Sequence, residues 1–200
     1  MAFFTLKGGT MKEISSNHLF KKGSQRMTQM NLFGAPGNLN NRNKFIAVYR
    51  VSLVRDKHVP FKQFQLNNSR QALPLIQKLI ETQGQPDREQ FCVILLNAKN
   101  RIIGLNIVST GDLSSATVHP REVLKPAILA NSCAMILCHN HPSDDLLPSP
   151  EDIAITKRIV HAAKIIGIHV HEHLIISMED EQYYSFADKG LIKKMYDEID

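Results

Sequence analysis

Two histidines separated by a single residue, His139 and His141, followed by Ser149 and Asp152, are the residues of this chain best suited to chemistry. They lie in the stretch His139-Asn-His-Pro-Ser-Asp-Asp-Leu-Leu-Pro-Ser-Pro-Glu-Asp152, after an apolar run and before a helix-like one. On an extended chain, residues two apart point to the same side, so both imidazoles can converge on one ion. Pro142 ends the strand. Ser149 is a natural helix N-cap, with Pro150 at the first helical position and Asp152 at the third. The Asp152 carboxylate then sits in the first turn and faces back toward the strand end. Two imidazoles and one carboxylate suit zinc and leave the fourth corner of a tetrahedron for water, whereas structural zinc is closed by four protein ligands. Each residue also has a purely structural explanation. Ser149 with Asp152 makes a helix cap that needs no metal, and histidines at a strand end are ordinary surface residues. The conjunction, with its spacing, is what points to a metal.

Positioning these groups requires a strand before His139 and a helix after Ser149, and the flanking sequence predicts both. Ala134-Met-Ile-Leu-Cys138 reads as a buried strand, and Pro150 to Ile166 as a helix with Gly167 just past its end. Upstream, the β-branched and aromatic run Phe45 to Val54 predicts a strand. Ser69 reads as the cap of a helix using Leu73, Ile76, Leu79 and Ile80 and stopped at Gly84. Glu89 to Leu96 is apolar on both faces after its first residues, as a central strand should be. Asn97 to Asn100 turns the chain into a second strand, about Arg101 to Ser109. Pro120 opens a helix to about Ala130, with Pro126 placed to kink it. Ile168 to Ser177 is a strand, and Phe186 to Tyr196 a last short helix. Strands interleaved with helices predict an α/β domain with one sheet, made mixed by its hairpins.

The 200 residues suffice for one domain with a tail. With 43% apolar and 22% charged residues, the composition is that of a globular protein and excludes a wholly disordered or collagen-like chain. No run approaches the ~20 apolar residues of a membrane span, and the N-terminus lacks the basic start of a signal peptide. Cys92, Cys133 and Cys138 are odd in number and form no Cys-x-x-Cys pair. They read as small buried hydrophobes in a reducing compartment, and the expectation is a cytoplasmic protein without membrane contact. Residues 1–44 hold Gly8-Gly9, Gly34-Ala-Pro-Gly37 and a polar run to Asn43, which predicts a flexible arm ahead of a domain over 45–200. Met11, Met27 and Met30 offer alternative starts. Residues 1–63 carry 11 Lys and Arg against two acids, or +9, and residues 64–200 carry 13 against 17, or −4. A basic arm of this kind either contacts nucleic acid weakly or is simply solvated. Trp is absent, and Phe3, Phe4 and Phe20 are too sparse for a base-stacking platform.

The pattern His139-x-His141-x7-Ser149-x2-Asp152 resembles the signature of JAMM (MPN-type) metalloproteases, and the wider sequence resembles the RadC family within it. The matching stretches are Val118-His-Pro-Arg-Glu122, His139-Asn-His-Pro-Ser143, Pro148-Ser149 with Glu151-Asp152, Gly167-Ile168, His173-Leu-Ile-Ile-Ser177 and Tyr184-Ser-Phe-Ala187. The resemblance covers about Phe45 to Ile192. It implies a three-layer α/β/α fold with a mixed sheet, related to the cytidine-deaminase architecture, and one Zn2+ per chain. His139, His141 and Asp152 match the zinc ligands, and Ser149 the hydroxyl supporting the developing oxyanion. Glu89 matches the upstream general base. Glu122 competes with it, although a carboxylate in a first helical turn is favoured by the helix dipole regardless of function. His173, within its matching stretch, is a candidate to support a ligand from behind. His169 and His171 alternate with it on the strand and read as sheet-end residues.

Three departures stand out. Asp144 replaces the Gly that usually follows His-Asn-His-Pro-Ser, Glu172 replaces the usual Asp before His173, and residues 1–44 do not supply the helix-hairpin-helix module of longer members. The expected function is zinc-dependent hydrolysis of a peptide or isopeptide bond in a peptide or protein substrate. The alternative implied by the family is a DNA-repair-associated accessory protein with little or no hydrolase activity. Zinc deamination of a nucleobase expects His-x-Glu and Pro-Cys-x-x-Cys, and neither occurs.

Overall fold

The computed structural model describes residues 50–61, 65–111 and 118–199. The arm expected over 1–44 and the expected domain start at Phe45 lie outside them. The elements run α1 (Leu73–Gln83), β1 (Gln90–Leu96), β2 (Ile102–Thr110), α2 (Pro120–Leu129), β3 (Ala134–Asn140), α3 (Pro150–Ile165), β4 (His169–Ile176), β5 (Tyr183–Ser185) and α4 (Leu191–Asp197).

Every residue of β1 and of β3 is buried, which places both strands inside the sheet, with order β2-β1-β3-β4-β5. The hairpin β1–β2 is antiparallel, as are β1–β3 and β4–β5, while β3 and β4 run parallel. A parallel pair needs a crossover, and α3 is that crossover. Alternate residues of the central strands face opposite layers. Cys92, Ile94, Ile136 and Cys138 pack under α1 through Leu75, Ile76 and Leu79. Phe91, Val93, Met135 and Leu137 pack on the other face against Val123 of α2, Ile159 and Val160 of α3, and Ile192 of α4. The result is the expected three-layer α/β/α arrangement around a mixed sheet.

Several local expectations are corrected. Arg50 to Val54 forms no strand, and Val54 is 83% exposed. β-branched residues favour a strand only where a partner and a core face exist; residues 45–49 of that expected strand are outside the described set. Ser69 is not a helix cap. It opens a 3-10 turn capped by Asn68, and α1 follows with no side-chain cap. Its hydroxyl instead donates to Glu172 at 2.6 Å. The last helix begins at Leu191 rather than Phe186, because Phe186 is fully buried in the core and Gly190 turns the chain at φ 73°. The three-residue strand β5 before it is too short to leave a periodic signature. Cys133 is exposed, whereas Cys92 and Cys138 are buried directly opposite each other on β1 and β3. Burial pushes the Cys92 thiol up to about 12. α2 continues through Pro126.

Candidate metal centre

The centre is assembled where β3 runs out and α3 begins. β3 delivers His139 against Phe91 of β1, with its ring stacked over the phenyl ring at a centroid distance of 6.0 Å. His141 follows two residues on, and Pro142 breaks the strand. The Asp144 N–H donates back to the His141 carbonyl at 2.9 Å, with Asp144 at φ 57°. Gly takes such a left-handed turn freely, and Asp tolerates φ > 0 better than most residues, so the Gly that the family resemblance leads one to expect can be replaced here. The loop carries the chain to Ser149, whose Oγ accepts the Asp152 N–H while the Asp152 carboxylate accepts the Ser149 N–H, a complete capping box.

Capping leaves the Asp152 carboxylate free for a second duty. Its Oδ2 accepts from the Ser149 N–H at 2.8 Å and from Ser149 Oγ at 2.7 Å. Its Oδ1 lies 3.3 Å from His139 Nε2, and Oδ2 lies 3.5 Å from His141 Nε2. The two Nε2 atoms are 3.0 Å apart. Tetrahedral bonds of about 2.0–2.1 Å separate ligand atoms by ~3.3 Å, so these three distances are those of donors surrounding one ion. Glu89 stands a step further out, its Oε1 4.0 Å from His139 Nε2 and 3.8 Å from His141 Nε2. The ligand atoms of Glu89, His139, His141 and Asp152 all fall within 4.8 Å of one another.

Hydrogen bonds behind the imidazoles decide what they offer. His141 Nδ1 meets the main-chain carbonyl of Asp145, which accepts only, so Nδ1 carries the proton and Nε2 presents a lone pair. His139 Nδ1 contacts His173 Nε2 at 2.8 Å, and His173 Nδ1 contacts Thr156 Oγ1 at 2.6 Å. Two imidazole nitrogens facing each other beside a carboxylate repel unless a proton or a cation lies between them. The donor set therefore fits a divalent cation with N,N,O ligation. Without an ion, the carboxylate governs titration. Hydrogen bonding to Asp152 raises the His141 pKa against the opposing effect of burial. Burial raises that of Asp152, but hydrogen bonds from the His139 and His141 rings, made when Nε2 also carries a proton, outweigh it and hold the carboxyl well below the usual range. Burial, then the neighbouring His139, keeps His173 far below its ordinary value and hence neutral.

The structure thus brings Glu89, His139, His141, Ser149, Asp152 and His173 to one place. Glu122 is not among them. It lies on the surface of α2, paired with Lys125 and Arg121. An irregularity in the β3–β4 register between Met135 and Ile136 adds one residue to β4, so the alternation of His169, His171 and His173 is broken. His173 pairs with Leu137 and is buried, whereas His169 stacks on Tyr196 and His171 contacts Asn100, both exposed.

Two supporting residues were missed in the sequence. Thr156 lies four residues after Asp152, one turn along the same helix face. Asn140, between the two histidines, bonds the backbone on both sides of Glu89. The Glu172 departure is accommodated by a dense set of donors: Ser69 Oγ and Ser185 Oγ at 2.6 Å each, the His173 N–H at 2.8 Å and the Ala187 N–H at 3.0 Å. A cavity of about 430 Å³ lined by Arg88, Glu89, Gly111, Pro142 and Ser143 opens beside Glu89.

A mixed sheet between helical layers, with a His-x-His at the end of an inner strand and a carboxylate in the first turn of the crossover helix, defines an α/β domain with a candidate metal site. The profile of the RadC-like JAB domain matches residues 66–191, more than half of the chain, and the chain belongs to that family. A UPF0758 protein of Desulforamulus reducens is 50% identical over 106 residues, covering 53% of this chain and 46% of that protein. One of Symbiobacterium thermophilum is 52% identical over 104 residues, covering 52% and 44%. One of Caldanaerobacter subterraneus is 44% identical over 118 residues, covering 56% and 51%. The chain spans about half the length of the curated relatives it matches. No helix among the described residues is long and apolar enough to cross a membrane.

Proposed function

We propose that the chain is a zinc-dependent hydrolase of peptide or isopeptide bonds, with His139, His141 and Asp152 as ligands and Glu89 as general base. The observation that carries this reading is the spacing: three donors at ligand-to-ligand distances, and a fourth group, the Glu89 carboxylate, set back beside an open cavity. When bound, the ion supplies Lewis-acid polarisation of a carbonyl and lowers the pKa of water from 15.7 toward ~7. Glu89 accepts the proton of the attacking water and delivers it to the departing amine nitrogen as the C–N bond breaks. Its separation from both imidazoles leaves room for that water. Ser149 holds Asp152 in its aim, and supporting an oxyanion would require its hydroxyl proton to leave Asp152 Oδ2. The buried Phe91 and Phe186 rings wall the histidines with apolar surface, which strengthens electrostatic interactions in the site.

Elemental analysis of protein purified without chelator or affinity-tag metal tests the first half of the reading. About one zinc per wild-type chain and almost none in His141→Ala are expected; none in either overturns it. A mass-spectrometric screen with peptides and lysine-linked isopeptides tests the second half. Cleavage by wild type and none by zinc-loaded Glu89→Gln are expected. A fully active Glu89→Gln chain would refute the base.

A further inference from the structure

We infer that Thr156 is a positioning residue that sets the tautomers of His173 and, through it, of His139, so that His139 presents an unprotonated Nε2 to the metal. The inference rests on the metal reading above and adds what holds the ligand ready.

A single hydroxyl proton sets the order of donors and acceptors. Thr156 Oγ1 lies in hydrogen-bond contact with the main-chain carbonyl of Asp152, one turn earlier in α3. A carbonyl only accepts, so the one hydroxyl proton of Thr156 is committed there. The oxygen can then only accept from its other neighbour, His173 Nδ1, at 2.6 Å. His173 therefore carries its proton on Nδ1 and offers a bare Nε2. That nitrogen lies 2.8 Å from His139 Nδ1, which must be the donor. His139 is left with an unprotonated Nε2, aimed at His141 Nε2 and Asp152. The opposite order, with His173 protonated on Nε2, would force the proton of neutral His139 onto the very atom that must bind the ion.

Burial makes this arrangement stiff. His139, Thr156 and His173 are all 0% exposed, so water cannot substitute for a lost partner. Phe186 stacks on His173 with centroids 4.7 Å apart, and Phe91 lies 5.4 Å from the same ring. The chain of bonds ends at a main-chain carbonyl, which cannot take up a proton. It therefore fixes a tautomer and does not conduct protons. α3 contributes twice to one site, through the Asp152 side chain and through the Asp152 carbonyl that orients Thr156.

Two measurements on the full chain test this. In metal-free wild type above pH 8, long-range proton–nitrogen NMR should show His139 and His173 both protonated on Nδ1; a His173 protonated on Nε2 overturns the inference. Zinc affinity, read by competition with a chromophoric chelator, should fall about tenfold to 100-fold in Thr156→Val and recover in Thr156→Ser, which restores the hydroxyl. An affinity of Thr156→Val within twofold of wild type overturns it, as does failure of Thr156→Ser to recover. A wild-type chain that takes up no zinc removes the metal reading instead, and the tautomers of the metal-free chain still decide the present inference.

Discussion

Asn140 brackets Glu89. Its Oδ1 accepts the Gln90 N–H at 3.0 Å and its Nδ2 donates to the Arg88 carbonyl at 3.0 Å, so the two peptide groups flanking the carboxylate are tied to the residue between the two histidines. Asn140→Ala strips partners from a buried donor and its neighbouring acceptor. It should cost about 2–4 kcal/mol, measured by urea unfolding of the metal-free chain. A loss under ~1 kcal/mol would mean that the bracket is dispensable.

The Ser149–Asp152 pair separates capping from ligation. Ser149→Ala removes the cap acceptor and should cost about 0.5–2 kcal/mol while zinc content stays near one per chain. Asp152→Ala should lose comparable stability and the zinc as well. Equal zinc in Asp152→Ala and wild type would reduce Asp152 to a helix cap.

Acidity should act on the metal-free protein from both directions. Burial holds the pKa of His173 well below its ordinary 6.5, and burial also lowers those of His169 and His171. Below pH ~6.5 the unfolded chain binds a proton that buried His173 refuses, so stability falls with acid by about 1.4 kcal/mol per pH unit for that group, whereas the exposed His169 and His171 add less because solvent screens them. His141 has the opposite sign. Its pKa is raised by the hydrogen bond to Asp152, so its contribution is full below pH ~6.5 and is lost as pH rises through the raised value. Urea midpoints in chelator from pH 5 to 8.5 should therefore peak just above 6.5. A flat profile would contradict these environments.

Glu172 accepts from two hydroxyls on Oε2 and from two backbone N–H groups on Oε1. Hydroxyls can turn to accept from an amide, whereas N–H groups cannot. Glu172→Gln should therefore cost only about 1–2 kcal/mol and Glu172→Ala more than ~3, by thermal or urea unfolding. The reverse order would exclude the carboxylate as the tie between β4, the 3-10 turn at Ser69 and the segment after β5.

The sequence by itself determined the elements that carry strong local signals. The apolar Phe91–Leu96 and Ala134–Cys138 runs read as inner strands, and Ser149-Pro150 and Gly167 marked the ends of α3. The period-two placement of His139 and His141 was equally local, because a strand fixes which residues share a side. Where propensity lacked a partner, as at Arg50–Val54, or where an extra residue shifted the register, as at His171, local pattern misled. Only the tertiary structure decided how Glu89, 50 residues before His139, meets the histidines, why Glu122 stays outside, and how Thr156 and Asn140 support the site. Those outcomes depend on β1 lying beside β3 and on α3 crossing over to β4. Hydrogen bonds between residues far apart in the chain are set by strand register and helix docking, which no stretch of sequence encodes on its own.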